Sequence, residues 1–268
     1  MNATEHFDIV IVGGGLNGAA LALALKDSAY RVALVEAAPP SVLTEAWDPR
    51  VYAYSPGNVD WLRQMGGWSE AVRAEPVRAM RIHGDTGARM DFDALEAGLS
   101  ELAWIAENGR LQYTLWQAIR LAGNIECIAG RPESVGWGNT THTLMLNDGR
   151  KLQARLLVAA DGANSWLRQQ AAIPIDVEDY RHVGVVGNFE TEKPHRGIAW
   201  QWFRQDGVLA YLPLPGRRIS IVWSTPTDMA PERLALGPAE FAGLVAEAGR
   251  HSLGALHCVK IGRASCRE

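Results

Sequence analysis

Three glycines set the first chemical expectation. Gly13, Gly15 and Gly18 form a GxGxxG pattern within IVGGGLNG, after an apolar, β-branched run and before a stretch rich in alanine and leucine. The first glycine of such a turn allows a tight bend, and the second admits a pyrophosphate against the backbone. The third lets helix and strand pack closely. Open N–H groups at the helix start, reinforced by the helix dipole, then favour an anion. Farther along, Glu36 closes a second apolar run, where a carboxylate can accept the hydroxyls of an adenosine ribose. Taken alone, it is equally an ordinary solvated strand end. A second constellation lies in LVAADGANSWLR, residues 157–168. Asp161 ends a strand-like run, Gly162 permits close backbone approach, and Ser165 can cap a following helix. Arg168 can reach an anion or hold Asp161. A capped strand–helix turn with a surface arginine fits the same spacing.

These residues need a parallel sheet to bring them together. FDIVIV at 7–12 and RVALVE at 31–36 have the continuous apolar character of strands buried on both faces, and residues 16–26 between them predict a helix. KLQARLLVAA at 151–160 predicts another buried strand that ends at Asp161. Further helices are expected over 58–65 and 110–122, and strands over 80–83, 102–106, 125–129, 134–137 and 143–146. Asn147, Asp148 and Gly149 supply hairpin-turn chemistry. Beyond Arg168 the texture changes to longer strands with alternating aromatics, over 181–190, 197–204, 207–213 and 218–224. They predict a mainly antiparallel second sheet. Trp200, Trp202, Phe203, Tyr211 and Trp223 fall on it at strand spacing, as packing residues or as one wall of an aromatic substrate pocket.

Composition excludes several classes. With 47% apolar and 21% charged residues the chain reads as globular rather than disordered. Its 26 basic residues against 30 acidic ones include no basic run, so no footprint for nucleic acid is visible. The longest apolar run, Ala19 to Leu25, is too short to span a bilayer, and neither a signal nor a transit peptide fits the N-terminus. Cys127, Cys258 and Cys266 are scattered without CxxC spacing, against a zinc site or a disulfide framework, and no metal ligands are assigned. A reducing cytoplasm follows as the expected compartment. His182 and His195 stand apart and are expected at the surface or in turns.

Together, GxGxxG, the acidic end of the second strand and ADGxxSxxR resemble the class A flavoprotein aromatic hydroxylases, the group of para-hydroxybenzoate hydroxylase. WDPRVYAYSPGNVDWLRQMGGW at 47–68, ENGRLQYTLW at 107–116 and ADGANSWLR resemble, within that class, the ubiquinone-biosynthesis hydroxylase family. The resemblance implies an α/β fold: a discontinuous Rossmann-type FAD-binding domain, plus a mainly antiparallel substrate domain. It implies that Gly13, Gly15 and Gly18 face the FAD pyrophosphate and Glu36 the adenosine ribose. Arg50 matches an arginine that contacts the cofactor's central portion; it is otherwise a solvated arginine after a proline turn. Asn108 stands near the position of an amide beside the ribityl chain, or is simply a helix N-cap. Asp161 and Gly162, with Arg168 in the same motif, are implied to serve FAD and transient NAD(P)H binding.

The implied activity is NAD(P)H-dependent, O₂-using hydroxylation of an aromatic ring. The implied substrate is a polyprenylated phenol, which brings contact with a membrane surface or a biosynthetic complex, peripheral to the inner membrane. Because the cofactor performs this chemistry, no catalytic side chain is assigned. A flavin-dependent reductase or halogenase would carry the same motifs. A third motif of the class, a Gly-Asp pair before a proline- and glycine-rich stretch, is not found, so an inactive truncated fragment is the other alternative. Residues 1–75 and 108–178 are expected to form the FAD domain, and 76–107 and 179–260 the substrate domain. Residues 261–268, IGRASCRE, match a translated sequencing adapter and are expected to be an irregular, non-native tail. The antiparallel sheet is then expected to need cover from chain that this sequence lacks.

Overall fold

The computed structural model describes residues 4–40, 42–43 and 45–265. The chain opens with β1 (Thr4–Val12), α1 (Leu16–Ala24), β2 (Val32–Glu36), β3 (Val51–Tyr54) and α2 (Pro56–Met65). Next come β4 (Glu75–Val77), β5 (Ala79–His83), β6 (Arg89–Asp93), β7 (Ala103–Glu107) and α3 (Asn108–Arg120). Then follow β8 (Ile125–Ala129), β9 (Pro132–Gly136), β10 (His142–Leu146), β11 (Lys151–Ala159) and α4 (Trp166–Gln170). Last are β12 (His182–Thr191), β13 (Ile198–Arg204), β14 (Gly207–Leu214), β15 (Arg218–Pro226), α5 (Ala230–Ala235), α6 (Pro238–Ala248) and β16 (Leu256–Ser265).

Two compact units result. The first comprises Met1–Leu43, Trp61–Ala71 and Gly109–Asp176. Its sheet runs β8-β2-β1-β11-β10-β9. The four strands from β8 to β11 are parallel, while β10 and β9 add on antiparallel. Val10, Val12, Ala33, Val35, Ile128 and Leu152 pack at its core. Strands buried on both faces need no polar alternation, which is why β1 and β2 read as continuous apolar runs. The predicted turn joins β10 to β11: the Gly149 N–H donates to the Leu146 carbonyl at 2.9 Å, with Gly149 at φ +83°.

The second unit comprises Thr44–Asp60, Val72–Asn108 and Val177–Glu268. It carries a small antiparallel sheet, β3-β7-β4, and a seven-stranded one, β16-β12-β15-β14-β13-β5-β6. The larger sheet is antiparallel except where β13 pairs with β5. The expected first segment, 1–75, is therefore corrected: residues 44–60 group with the second unit because Val51 to Tyr54 pair with Glu107 to Trp104. Trp200, Trp202, Tyr211 and Trp223 are buried in one cluster, with Phe241, Ala242 and Val245 of α6 laid over them. The Tyr211 hydroxyl donates to the Val245 carbonyl at 2.6 Å. Packing is thus their role, while Phe203 is exposed. Two further expectations change. The chain itself covers one face of the sheet with α6, and residues 261–265 extend a ten-residue strand paired to β12 rather than an irregular tail. Cys266 lies outside the described residues.

Candidate functional site

The strands β1, β2 and β11 end side by side, and a cleft of about 630 Å³ opens at their carboxyl ends. Open α/β sheets place their ligands at such ends. Gly13, Gly15, Glu36, Asp161 and Gly162 all line it, so five of the sequence-predicted residues meet in one hollow.

Each glycine has a separate reason to be there. Gly13 sits at φ +103°, and a Cβ on it would strike the Ala160 carbonyl. A Cβ on Gly18 would overlap the Gly13 carbonyl oxygen, so this position sets how closely α1 lies on β1. Gly15 differs. It is the N-cap of α1, in extended conformation, and a Cβ there would meet nothing within 4 Å. The fold leaves that volume open, and the first-turn N–H groups of α1 have no intrahelical acceptor. A small cradle with exposed donors at a helix start is what a pyrophosphate needs.

The Glu36 carboxylate both lines the cleft and braces the loop. Its Oε2 accepts the Gly14 N–H at 2.7 Å and its Oε1 the Ala38 N–H at 2.9 Å. From the other side, Trp116 Nε1 and Gln112 Nε2 on α3 each donate to the Gly14 carbonyl at 2.8 Å. The glycine loop is thus held at both its N–H and its C=O before any ligand arrives.

At the end of β11, Ser165 caps α4 by accepting the Arg168 N–H at 3.0 Å and donates to Asp161 Oδ1 at 2.5 Å. The other oxygen of Asp161 accepts the Leu167 N–H at 3.1 Å. Arg168 does not hold Asp161, as the sequence allowed: its guanidinium donates to the Ala163 carbonyl at 2.9 Å, and it is not among the residues lining the cleft.

Arg50 and Asn108 belong to the second unit, where the Asn108 N–H donates to the Arg50 carbonyl at 2.9 Å. Asn108 opens α3, and the Arg50 side chain is 61% exposed, 3.5 Å from Asp48. Beneath them lies a pair that sequence reading missed. Glu107 is fully buried, accepts the Asp48 N–H at 2.7 Å and pairs with Arg73 through both its oxygens. Arg73 in turn stacks 3.9 Å over Trp47. Also missed at the cleft were Arg131, Asn164 and Trp166. Arg131 follows β8, and only the parallel pairing of β8 with β2 brings it there.

The family described as FAD binding domain matches residues 6–236, a span that includes the whole glycine cleft. The chain belongs to this family. Among curated relatives, this chain is 34% identical over 263 residues to the Drosophila melanogaster ubiquinone biosynthesis monooxygenase COQ6, mitochondrial; the match covers 92% of this chain and 55% of that protein. It is also 34% identical over 221 residues to the Escherichia coli 3-demethoxyubiquinol 3-hydroxylase, covering 81% and 56%. The chain therefore spans little more than half the length of these relatives. Among solved structures, Pseudomonas aeruginosa PqsL in complex with 2-aminobenzoylacetate superposes with a TM-score of 0.77 at 22% identity, covering 96% of this chain and 74% of PqsL. That likeness speaks for the fold alone, an α/β unit with a mainly antiparallel partner.

Proposed function

We propose that the protein is an FAD-dependent, NAD(P)H-using monooxygenase that hydroxylates an aromatic ring, with a polyprenylated phenol of ubiquinone biosynthesis as its substrate. The observation that carries this reading is the open cradle at Gly15, in the strand-end cleft of a chain belonging to the FAD-binding family. The printed names of the curated relatives supply the reaction and the substrate class.

In this reading the N–H groups of the first turn of α1 bind the pyrophosphate, and Glu36 accepts a ribose hydroxyl while keeping its hold on Gly14. Arg131, exposed at the cleft, adds a positive charge beside the phosphates. Asp161 and Gly162 supply the strand-end contact. FAD, when bound and reduced by a nicotinamide, supplies the activation of O₂ for transfer of one oxygen atom to an electron-rich ring. The protein's share is binding, orientation and exclusion of water. No helix among the described residues is long and apolar enough to cross a membrane. A polyprenyl tail would be met by peripheral contact with a membrane surface.

Purified protein is titrated with FAD by flavin fluorescence, then given NADH or NADPH, ¹⁸O₂ and a short-chain prenylated phenol. The expected result is saturable flavin binding and one ¹⁸O atom in a ring hydroxyl. Flavin binding with halogenated product or no oxygen transfer would overturn the reaction assigned, and no flavin binding would overturn the whole reading.

A further inference from the structure

We propose that the second unit carries an anion site, unrelated to the cofactor cleft, that takes a phosphate group. The site is a hollow of about 280 Å³ between the turn at residues 193–198, Ser252 and Leu253, and Arg81 on β5. Three of its lining side chains are cationic, Arg81, Lys193 and Arg196, and none is acidic. Among the described residues these three form no salt bridge. The neighbouring carboxylates are already engaged. Asp91, opposite Arg81 in the β5–β6 register, is held by Arg89 at 2.9 and 2.5 Å. Glu192 accepts the Ala255 N–H at 2.8 Å.

The hollow is also built on a rigid frame. His195, expected at the surface or in a turn, sits in the turn but is buried at 4% exposure. Its Nδ1 accepts the Gly197 N–H at 3.0 Å, which leaves the proton on Nε2 for the carbonyls of Leu214 and Gly216 at 2.9 and 2.8 Å. Next to it, Arg196 is exposed and adopts φ +56°, a left-handed conformation that glycine would take without strain. Arg250 and His251, just before Ser252, are left-handed too, at +54° and +50°. Strain of this kind persists where the surroundings over-determine it, and it gathers at ligand clamps. The field is positive here as well. His83, two residues from Arg81, has its pKa lowered first by burial, then by Arg250, Arg89 and Arg81, against the opposing charge of Asp91.

Arginine forks and a lysine in a small hollow match a phosphate oxygen triad, and the volume is below that of a dinucleotide site. A soluble phosphomonoester and a phospholipid headgroup share this chemistry. The test uses wild type, Gly15→Val, which blocks phosphate at the glycine loop, and a Lys193→Gln/Arg196→Gly double variant. One arm titrates inorganic phosphate and glycerol 3-phosphate by calorimetry. The other sediments the protein with phosphatidylglycerol-containing or pure phosphatidylcholine vesicles. Wild type and Gly15→Val are expected to bind alike, and the double variant to lose about tenfold or more. The double variant should melt no lower than wild type, because Arg196→Gly relieves the left-handed strain. Binding in the first arm assigns a soluble phosphate, and binding to anionic vesicles alone assigns a headgroup. No binding in either arm, or equal binding by the double variant, overturns the proposal. Because Gly15→Val reports on the cofactor cleft alone, failure here and failure of the proposed function are told apart.

Discussion

Glu36 Oε2 accepts the Gly14 N–H at 2.7 Å, tying the end of β2 to the middle of the glycine loop. The carboxylate thus shapes the cradle as well as offering an acceptor to a ribose. Glu36→Ala is expected to lower stability by about 1.5–3 kcal/mol, the worth of a hydrogen bond to a charged group. Glu36→Gln should recover part of this through its amide oxygen. Urea unfolding of the two variants checks the order; wild-type stability in Glu36→Ala would show that the loop does not depend on this bond.

Gly18 is where packing, rather than ligand binding, forbids a side chain. Gly18→Ala would place a methyl group against the Gly13 carbonyl and push α1 off β1. A loss of about 1–3 kcal/mol is expected, typical of overpacking in a core. A melting curve that matches wild type would show that α1 can shift freely.

The buried Glu107–Arg73 pair makes a sharper test. Arg73→Met takes the cationic partner from the fully buried Glu107 carboxylate and is expected to cost about 3–5 kcal/mol. Glu107→Gln is expected to cost less, because Arg73 keeps Glu45 and partial exposure to water. The double variant should be more stable than the sum of the singles requires, since neither partner is then left behind. Additive losses in a double-mutant cycle would contradict the coupling.

Acid stability should depend on Asp206. Burial on its own would raise the carboxyl's pKa, but the hydrogen bond from Arg204 at 2.8 Å and the charges of Arg204 and Arg233 outweigh it and hold the pKa below the usual range. Arg233, which also stacks 3.9 Å over Trp223, reaches the second Asp206 oxygen. A carboxylate whose folded pKa is depressed contributes stability above its unfolded pKa and loses it as pH falls through the folded one. Melting temperature measured from neutral pH downward should therefore fall less steeply for Asp206→Asn than for wild type. Parallel curves would remove Asp206 from the account.

What the sequence disclosed was local. The glycine turn, the strands on either side of it, the Ser165 cap and the turn at Asn147, Asp148 and Gly149 each depend on residues a few positions apart. What stayed hidden depends on pairing between distant segments. Arg131 reaches the cleft only because β8 lies beside β2, and Glu107 finds Arg73 only once β3 and β4 flank β7. The strand β6 alternates Met90 and Phe92 with Arg89, Asp91 and Asp93, yet all five are exposed, so no buried face accompanies the pattern. The start of α6 carries Gly237, Pro238 and Glu240, a helix-start pattern of residues close together in the chain. Arg168 shows the same limit: the motif names the residue, but its contact with the Ala163 carbonyl is set by the local turn.

The central claim is that the strand-end cleft holds FAD against Gly15, and Gly15→Val tests it most directly. A Cβ at this position meets no protein atom within 4 Å, so the variant should melt close to wild type. FAD titration followed by flavin fluorescence is expected to saturate for wild type and to show no binding for Gly15→Val. A variant that melts normally and binds FAD as tightly as wild type would contradict the account.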